Sequence, residues 1–294
     1  MAFFFVLSGF VLAWGTRPDL PARTFWRRRF ARVYPSDFVM LAVAMAVPVV
    51  PVHRDAEAAL ANAFLIRAWW RADDVAYGMN GVSWSLSCEA FFYAVFPLAV
   101  LVVRRLPGGL SWSLVALGLG LAVIAYLARP GLADHLPLVR VSEFLLGLLA
   151  GIAVRDGWRP RVPGVAAAAA LTVGLAAASV LPPVVSNAVV AVPFLLVVLH
   201  MTGRDLDGRS GWLPSRVLVF AGEASFAFYL VHELVIVNLA PVLPDARAVQ
   251  VAVISAAAVV AAVMLHLVVE RLCNRLLRDR SPSLALATPT HETR

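Results

Sequence analysis

The sequence predicts an all-α, polytopic membrane protein, a helical bundle with nine membrane-spanning segments. Three observations carry that expectation. Of the 294 residues, 61% are hydrophobic and 15% charged, and the mean hydropathy is +0.81, a balance from which no water-exposed surface can be built. The apolar residues come in long uncharged runs instead of alternating, which excludes a membrane β-barrel and leaves helices that satisfy their own backbone. The basic residues, finally, keep to one side when the loops are alternated across a bilayer.

About 20 apolar residues in helical form cross a hydrocarbon core of about 30 Å. On that measure spans are expected at 2–16, 35–52, 83–103, 110–127, 138–154, 163–181, 184–201, 217–240 and 247–269, the first of them short. All 25 basic residues are Arg, a weak compositional sign of a GC-rich bacterial genome. Alternating the loops places nineteen Arg on one side and six on the other. The richer side is read as cytoplasmic, in a bacterial plasma membrane, with the C-terminus inside. The first span then runs inward from an outer Met1, and that topology asks for one more helix upstream. The residues after Arg280 read as a disordered tail, 281–294, behind a membrane domain at 1–280.

The loops are short except for the outer segment 53–82, with Trp69 and Trp70 followed by Asp73 and Asp74. It is read either as an interfacial aromatic belt or as the roof of a cavity. Cys88 and Cys273 fall at opposite ends of the bundle, so no disulfide is expected. Gly147 and Gly151, four apart on one helix, favour close helix packing. No metal-ligand spacing, Gly-rich phosphate loop or repeat is found, no nucleic-acid partner is expected, and nothing in the sequence speaks to oligomeric state.

Ionisable groups inside a membrane are costly and tend to be paired or functional. The candidates are Glu89, Arg140 with Glu143, His200, Glu223, His232 with Glu233, and His266 with Glu270. Arg140 and Glu143, spaced i,i+3, can form an intrahelical pair. His266 and Glu270 can snorkel or pair with Arg271, and His200 ends a span as an interface residue. Glu89 follows Trp84 and Ser85, and Ser85, Glu89 and Tyr93 are expected on one helical face, where the carboxylate could meet a sugar hydroxyl or orient a histidine. Ser225, Tyr229 and His232, at i, i+4 and i+7, make a second polar face. Arg27, Arg28, Arg29 and Arg32 alternate with aromatics in 23–34, read as an interfacial helix near anionic headgroups. Alternatively Arg29 and Arg32 present two guanidinium forks suited to the phosphates of a nucleotide-like ligand.

Those segments also resemble the bacterial type 3 membrane acyltransferases. The carriers are Phe3–Phe10, Arg29 to Arg32 followed by Tyr34 and Pro35, Trp84–Tyr93, Ser142–Gly151 and Ser225–His232, in order along the chain. The resemblance implies a ten-helix enzyme that moves an acyl group, usually acetyl, from cytoplasmic acyl-CoA to a hydroxyl of an extracytoplasmic glycan or lipid-linked acceptor. Acyl-CoA is then a donor substrate and no cofactor is permanently bound. The resemblance assigns Arg29 and Arg32 to the CoA phosphates and Glu89 to the catalytic region, supported by His232. Trp84, Ser85, Tyr93, Arg140, Glu143 and Tyr229 are assigned to the acceptor side. One departure is that many relatives have a second acid where this chain has Ala90. Another is the front: the family's first span carries an Arg and a catalytic His, that span is not found, and no residue in 1–30 can stand in for the His. The chain as printed is therefore expected to be weakly active or inactive, with Met1 standing where a valine codon was read as a start. A non-catalytic remnant of the family, or a transporter or flippase, are the alternatives.

Overall fold

The structure, a computed structural model, describes residues 1–17, 19–47, 55–129, 134–209, 211 and 214–277. Among them there are helices and turns and no strand. The expected tail, 281–294, and the end of the expected span 35–52 lie outside the described residues. In chain order the helices are α1 (Ala2–Gly15), α2 (Ala22–Ala46), α3 (Ala56–Ala63), α4 (Asp73–Ala76), α5 (Trp84–Arg105) and α6 (Gly108–Ala128). They continue with α7 (Pro137–Arg155), α8 (Gly164–Ala178), α9 (Pro183–Leu206), α10 (Arg216–Leu239), α11 (Arg247–Leu265) and α12 (Arg271–Leu277).

Nine spans were expected, and among the described residues six helical stretches are long and apolar enough to cross a membrane: Gly81–Arg105, Gly108–Ala128, Pro137–Arg155, Pro183–Leu206, Arg216–Val242 and Arg247–Leu276. The other three fall short for identifiable reasons. Helices α1 and α8 are apolar but have 14 and 15 residues, which at about 1.5 Å per residue reach only some 21–23 Å. The expected interfacial helix 23–34 and the span after it are one continuous helix, α2, with Pro35 inside it. Its first half carries the Arg cluster, so no sufficiently long stretch of the described helix is free of charge.

The bundle is organised by α1 against α7. A Cβ on Gly9 would collide with the Phe144 carbonyl oxygen, one on Gly147 with that of Val6, and one on Gly151 would lie 2.5 Å from that of Phe10. With glycine at all three, the two backbones approach to a distance no larger residue allows. Contacts advance together along both helices, Val6 with Gly147 and Phe10 with Gly151, so α1 and α7 run parallel. At their common end, Arg155 Nη1 donates to the carbonyls of Ala13 (2.9 Å) and Thr16 (3.1 Å), occupying acceptors that the C-terminus of α1 leaves open. Gly147 and Gly151 were legible in the sequence as a packing pair; Gly9 was not singled out.

Around this pair one apolar core joins α1, α5, α7 and α9, with Phe92 stacked on Phe144 at 4.8 Å and edge-on to Phe5 at 5.1 Å. A second core joins α2, α10 and α11. Tyr93 packs against both cores, so the middle of α5 lies at their seam.

Replacing Gly147 with Leu drives a branched side chain into the Val6 backbone and is expected to destabilise the bundle by about 3 kcal/mol or more. Gly15→Leu, where a Cβ meets nothing within 4 Å, serves as the control. Thermal unfolding of the two variants in detergent measures the difference, and equal midpoints would remove the α1–α7 contact from its organising role.

Candidate functional site

Helix α5 starts the site. Rising about 1.5 Å per residue, it carries Trp84 and Ser85 in its first turn and Glu89 and Tyr93 one and two turns deeper. The expected common face of Ser85, Glu89 and Tyr93 is split in the structure. Ser85, at the start of the helix, meets α10, whereas Glu89 and Tyr93, deeper in the bundle, share a cavity. Ser85 Oγ lies 2.8 Å from the Tyr229 hydroxyl, which donates to the Val82 carbonyl at 2.7 Å. Glu89 and Tyr93 instead face α1 and α2.

There they line a cavity of about 290 Å³ with Ser8 of α1, Arg29 and Arg32 of α2, and Ser225 of α10. Glu89 is 2% exposed. The hydroxyls of Tyr93 and Ser8 lie within hydrogen-bonding reach of its carboxylate, and the Arg29 and Arg32 charges act on it. A buried carboxyl group is thus held among two hydroxyls and two guanidinium groups, an arrangement that can bind a hydroxyl, accept its proton, or present positive charge to a developing oxyanion.

Two more cavities adjoin this one, and Arg29 lines all three. The first, about 210 Å³, lies in the turn between α1 and α2 and is bounded by Thr16, Arg17, Arg28 and Arg29. The second, about 430 Å³, is almost wholly apolar, with Phe30, Tyr34, Leu65 and Ala94 in its walls. Arg29 and Arg32, paired in the sequence reading, therefore have different surroundings: Arg29 connects the basic turn to the carboxylate cavity, and Arg32 lies in the carboxylate cavity itself. Arg28 entered the reading as part of the interfacial Arg cluster and Arg17 only as a charge on the cytoplasmic side, because the turn that brings Arg17 beside Arg28 and Arg29 is tertiary.

The remaining residues of the sequence reading form a separate group beside the first turn of α5. Arg140 and Glu143 are paired at 3.0 Å, with side chains 0% and 4% exposed, and the guanidinium lies 5.5 Å from the Phe5 ring centroid. Phe5 meets Trp84 edge-on at 6.3 Å. Tyr229 stacks on Phe4 at 5.8 Å. Ser225, Tyr229 and His232 do not act as one face: Ser225 lines the carboxylate cavity, Tyr229 pairs with Ser85, and His232 lies outside the cavity lining. The His232 Nδ1 is 2.7 Å from the Tyr229 carbonyl, so Nδ1–H donates within α10 and Nε2 is left as an acceptor. Glu233 is a structural ligand, accepting the Val82 amide at 2.6 Å.

Other candidates find partners elsewhere. His200 Nδ1 lies 2.7 Å from the Val162 carbonyl, and His266 Nδ1 lies 2.7 Å from Glu270 Oε2 in a π-helical turn at His266–Glu270. Glu223 approaches Arg271 at 3.6 Å. The cysteines are both free.

The long outer segment folds around Arg67, which the sequence reading used only as a charge count. Fully buried, it donates from Nε to Ala76 O (3.0 Å) and from Nη1 to Asn80 O (3.0 Å), with further bonds to Asn62 Oδ1 and Gly78 O. Asn62 in turn donates to Asp37 of α2, and Asn80 to the Leu230 carbonyl of α10 at 2.8 Å. Burial pulls the Arg67 guanidinium down to about 10, opposed by the Asp37 and Glu233 charges, so it stays cationic at neutral pH. The segment also closes the apolar cavity with Leu65, whose φ of 55° is left-handed. That conformation costs a residue with a Cβ about 1–2 kcal/mol. Leu65 follows α3, and the amide of Ile66 donates back to the Ala61 carbonyl at 2.9 Å, the long-range bond of a Schellman helix end. His135, absent from the sequence reading, is fully buried, with Nδ1 3.1 Å from the Ala68 carbonyl.

A bundle of apolar helices with a buried carboxylate among hydroxyls and guanidinium groups is the frame of a membrane enzyme. A family model described as "Acyltransferase domain" matches residues 1–267, and the chain belongs to that type 3 acyltransferase family. Acyltransferase MdmB of Streptomyces mycarofaciens is 37% identical, the match covering 97% of this chain and 83% of that protein. Exopolysaccharide production protein ExoZ of Rhizobium meliloti is 27% identical over 78% of this chain and 73% of its own length. Peptidoglycan O-acetyltransferase OatA of Listeria monocytogenes is 29% identical over 53% of this chain and 28% of its own length. No solved structure matches.

Arg67→Met strands the Asn62 and Asn80 groups and the loop carbonyls it serves, and is expected to cost about 3–5 kcal/mol. Limited proteolysis across Asp55–Ser83, compared with thermal unfolding, reads the loss. A protease pattern like that of the parent protein would mean the segment is held by other contacts.

Proposed function

We propose that this acyltransferase moves an acyl group from cytoplasmic acyl-CoA to a hydroxyl of an extracytoplasmic glycan or lipid-linked acceptor, acetyl being the group the family resemblance implies. The observation that carries the reading is the junction at Arg29. A basic cavity suited to phosphates opens beside a cavity that holds a buried carboxylate. Arg17, Arg28 and Arg29 would hold the CoA phosphates, placing the thioester beside Glu89 and Tyr93. Glu89 binds the acceptor hydroxyl and takes its proton as the oxygen attacks the thioester carbonyl carbon. The C–S bond then breaks, the ester keeps the acyl group, and the thiolate recovers the proton to leave as CoA thiol. Arg32 and Arg29 offset the negative charge on the carbonyl oxygen in between. On the acceptor side, Trp84, Ser85, Tyr229 and His232 would meet the acceptor, with the buried Arg140–Glu143 pair supporting Trp84 through Phe5. The parallel course of α1 and α7 fits nine crossings in alternation, of which they would be the first and fifth, with the C-terminus in the cytoplasm of a bacterial cell.

One observation favours a second reading, a member of the family that binds its ligands without turnover: no histidine lines any of the three cavities that meet at Arg29. Expressing the chain with and without the codons upstream of Met1 separates the two readings.

In membranes supplied with radiolabelled acetyl-CoA, Glu89→Gln is expected to lower transfer to the glycan or lipid fraction by about 100-fold or more, with unfolding unchanged. Arg29→Ala is expected to raise the acyl-CoA concentration needed for half-maximal transfer. Undiminished transfer by Glu89→Gln would remove the carboxylate from the chemistry.

A further inference from the structure

The reading above leaves the largest of the three cavities at Arg29 without a role. Its volume is about 430 Å³, and it shares Arg29, Val33 and Tyr93 with the carboxylate cavity, so the two lie side by side with these three residues between them. Away from that wall the lining is aliphatic and aromatic: Phe30 and Tyr34 stacked at 4.5 Å, Leu65, Ala90 and Ala94. The one indole there, Trp26, has its N–H committed to the Tyr93 carbonyl at 2.9 Å. The cavity is therefore apolar along most of its length, its one charged group being Arg29 on the wall next to the carboxylate cavity. An acetyl group puts a single methyl beyond the thioester carbonyl. At about 30 Å³ per methylene-sized group, the space has room for on the order of ten.

We propose that this cavity receives the acyl chain of the donor, and that the enzyme binds CoA thioesters with chains of about four to eight carbons in preference to acetyl-CoA. The inference rests on the acyl-CoA reading and names its substrate class. Three cavities meeting at one arginine match the three parts of such a donor: phosphates in the basic turn, thioester beside Glu89, chain between α2 and α5. Ala90 and Ala94 stand one helical turn apart on α5, so their small side chains set how far the chain can extend. Leu65 adds a further wall, and the exposed rings of Trp26 and Phe30 border the cavity's open side.

The test measures binding of CoA, acetyl-CoA, butanoyl-CoA, hexanoyl-CoA and octanoyl-CoA to the purified full chain in phosphatidylcholine nanodiscs, which needs no acceptor. Each added methylene buried is expected to tighten binding up to about fourfold, so butanoyl-CoA should bind about tenfold tighter than acetyl-CoA. In Ala94→Phe, and separately in Ala90→Phe, the dependence on chain length should disappear. If acetyl-CoA binds but affinity is flat from two to eight carbons, the chain inference fails and the acyl-CoA reading stands. If no CoA thioester binds, the acyl-CoA reading itself fails. A length dependence that survives both substitutions places the chain elsewhere. Retention of one phospholipid by the parent protein in native mass spectrometry, lost in Ala94→Phe, would instead assign the cavity to a membrane lipid tail. The parent series decides between these outcomes even if neither variant folds.

Discussion

Neither lipid nor packed apolar side chains can solvate an ion, and that constraint decides where the ionisable groups of this bundle stand. Three buried clusters meet it in different ways. Arg67 is enclosed by carbonyl oxygens and Asn62, so its charge is spread over dipoles with Asp37 behind them. Arg140 is matched by one carboxylate on its own helix and an aromatic face. Glu89 is met by donors from α1, α2 and its own helix. The first solution fixes a loop and the second a helix end, and neither leaves a way in for a ligand. The third opens onto a cavity, which is why chemistry is assigned there.

That opening depends on glycine. Ser8 reaches Glu89 only because α1 lies against α7 with no side chain between them at Gly9, Gly147 and Gly151. A larger residue at any of these positions would push α1 outward and take one wall of the cavity with it. The Arg155 bonds to the last carbonyls of α1 fix the register of the same contact. Packing between two apolar helices is in this sense part of the site, although none of the glycines touches it.

Helix positions and chemistry-bearing residue types could be read from the sequence, because both are local. Long apolar runs marked the helices, and the rarity of charge inside them marked Glu89, Arg140, Glu143 and His232. A shared helix face did not mean a shared neighbour: Ser85 meets Tyr229 while Glu89 lines the cavity, and Ser225 and Tyr229 part likewise, because tertiary packing decides which element covers each turn. The role of Arg67 was illegible because an Arg in a loop ordinarily signals solvent, and only the fold supplies the carbonyls that bury it. Leu65 carries no sequence signal either, since left-handed backbone is usually announced by Gly or Asn. Nine crossings were inferred from hydropathy, yet α1 and α8 are too short to reach across a typical hydrocarbon core alone, and their depth is set by the helices they pack against.

The position of Arg29 then has a mechanistic consequence. A group transferred from a soluble donor on one side of a membrane to an acceptor on the other must change partners inside the bundle, where its thioester is screened from water. One guanidinium lines the basic turn, the carboxylate cavity and the apolar cavity, so a donor anchored there can keep its charged part near the α1–α2 turn while its reactive carbonyl stands at Glu89. Helix α5 rises about 8 Å from Trp84 to Glu89. An acceptor hydroxyl held among Trp84, Ser85 and Tyr229 therefore has little more than one helical turn to descend to reach that carbonyl. On the proposed reading, so short an interval would ask for no large movement of the helices to bring the two substrates together.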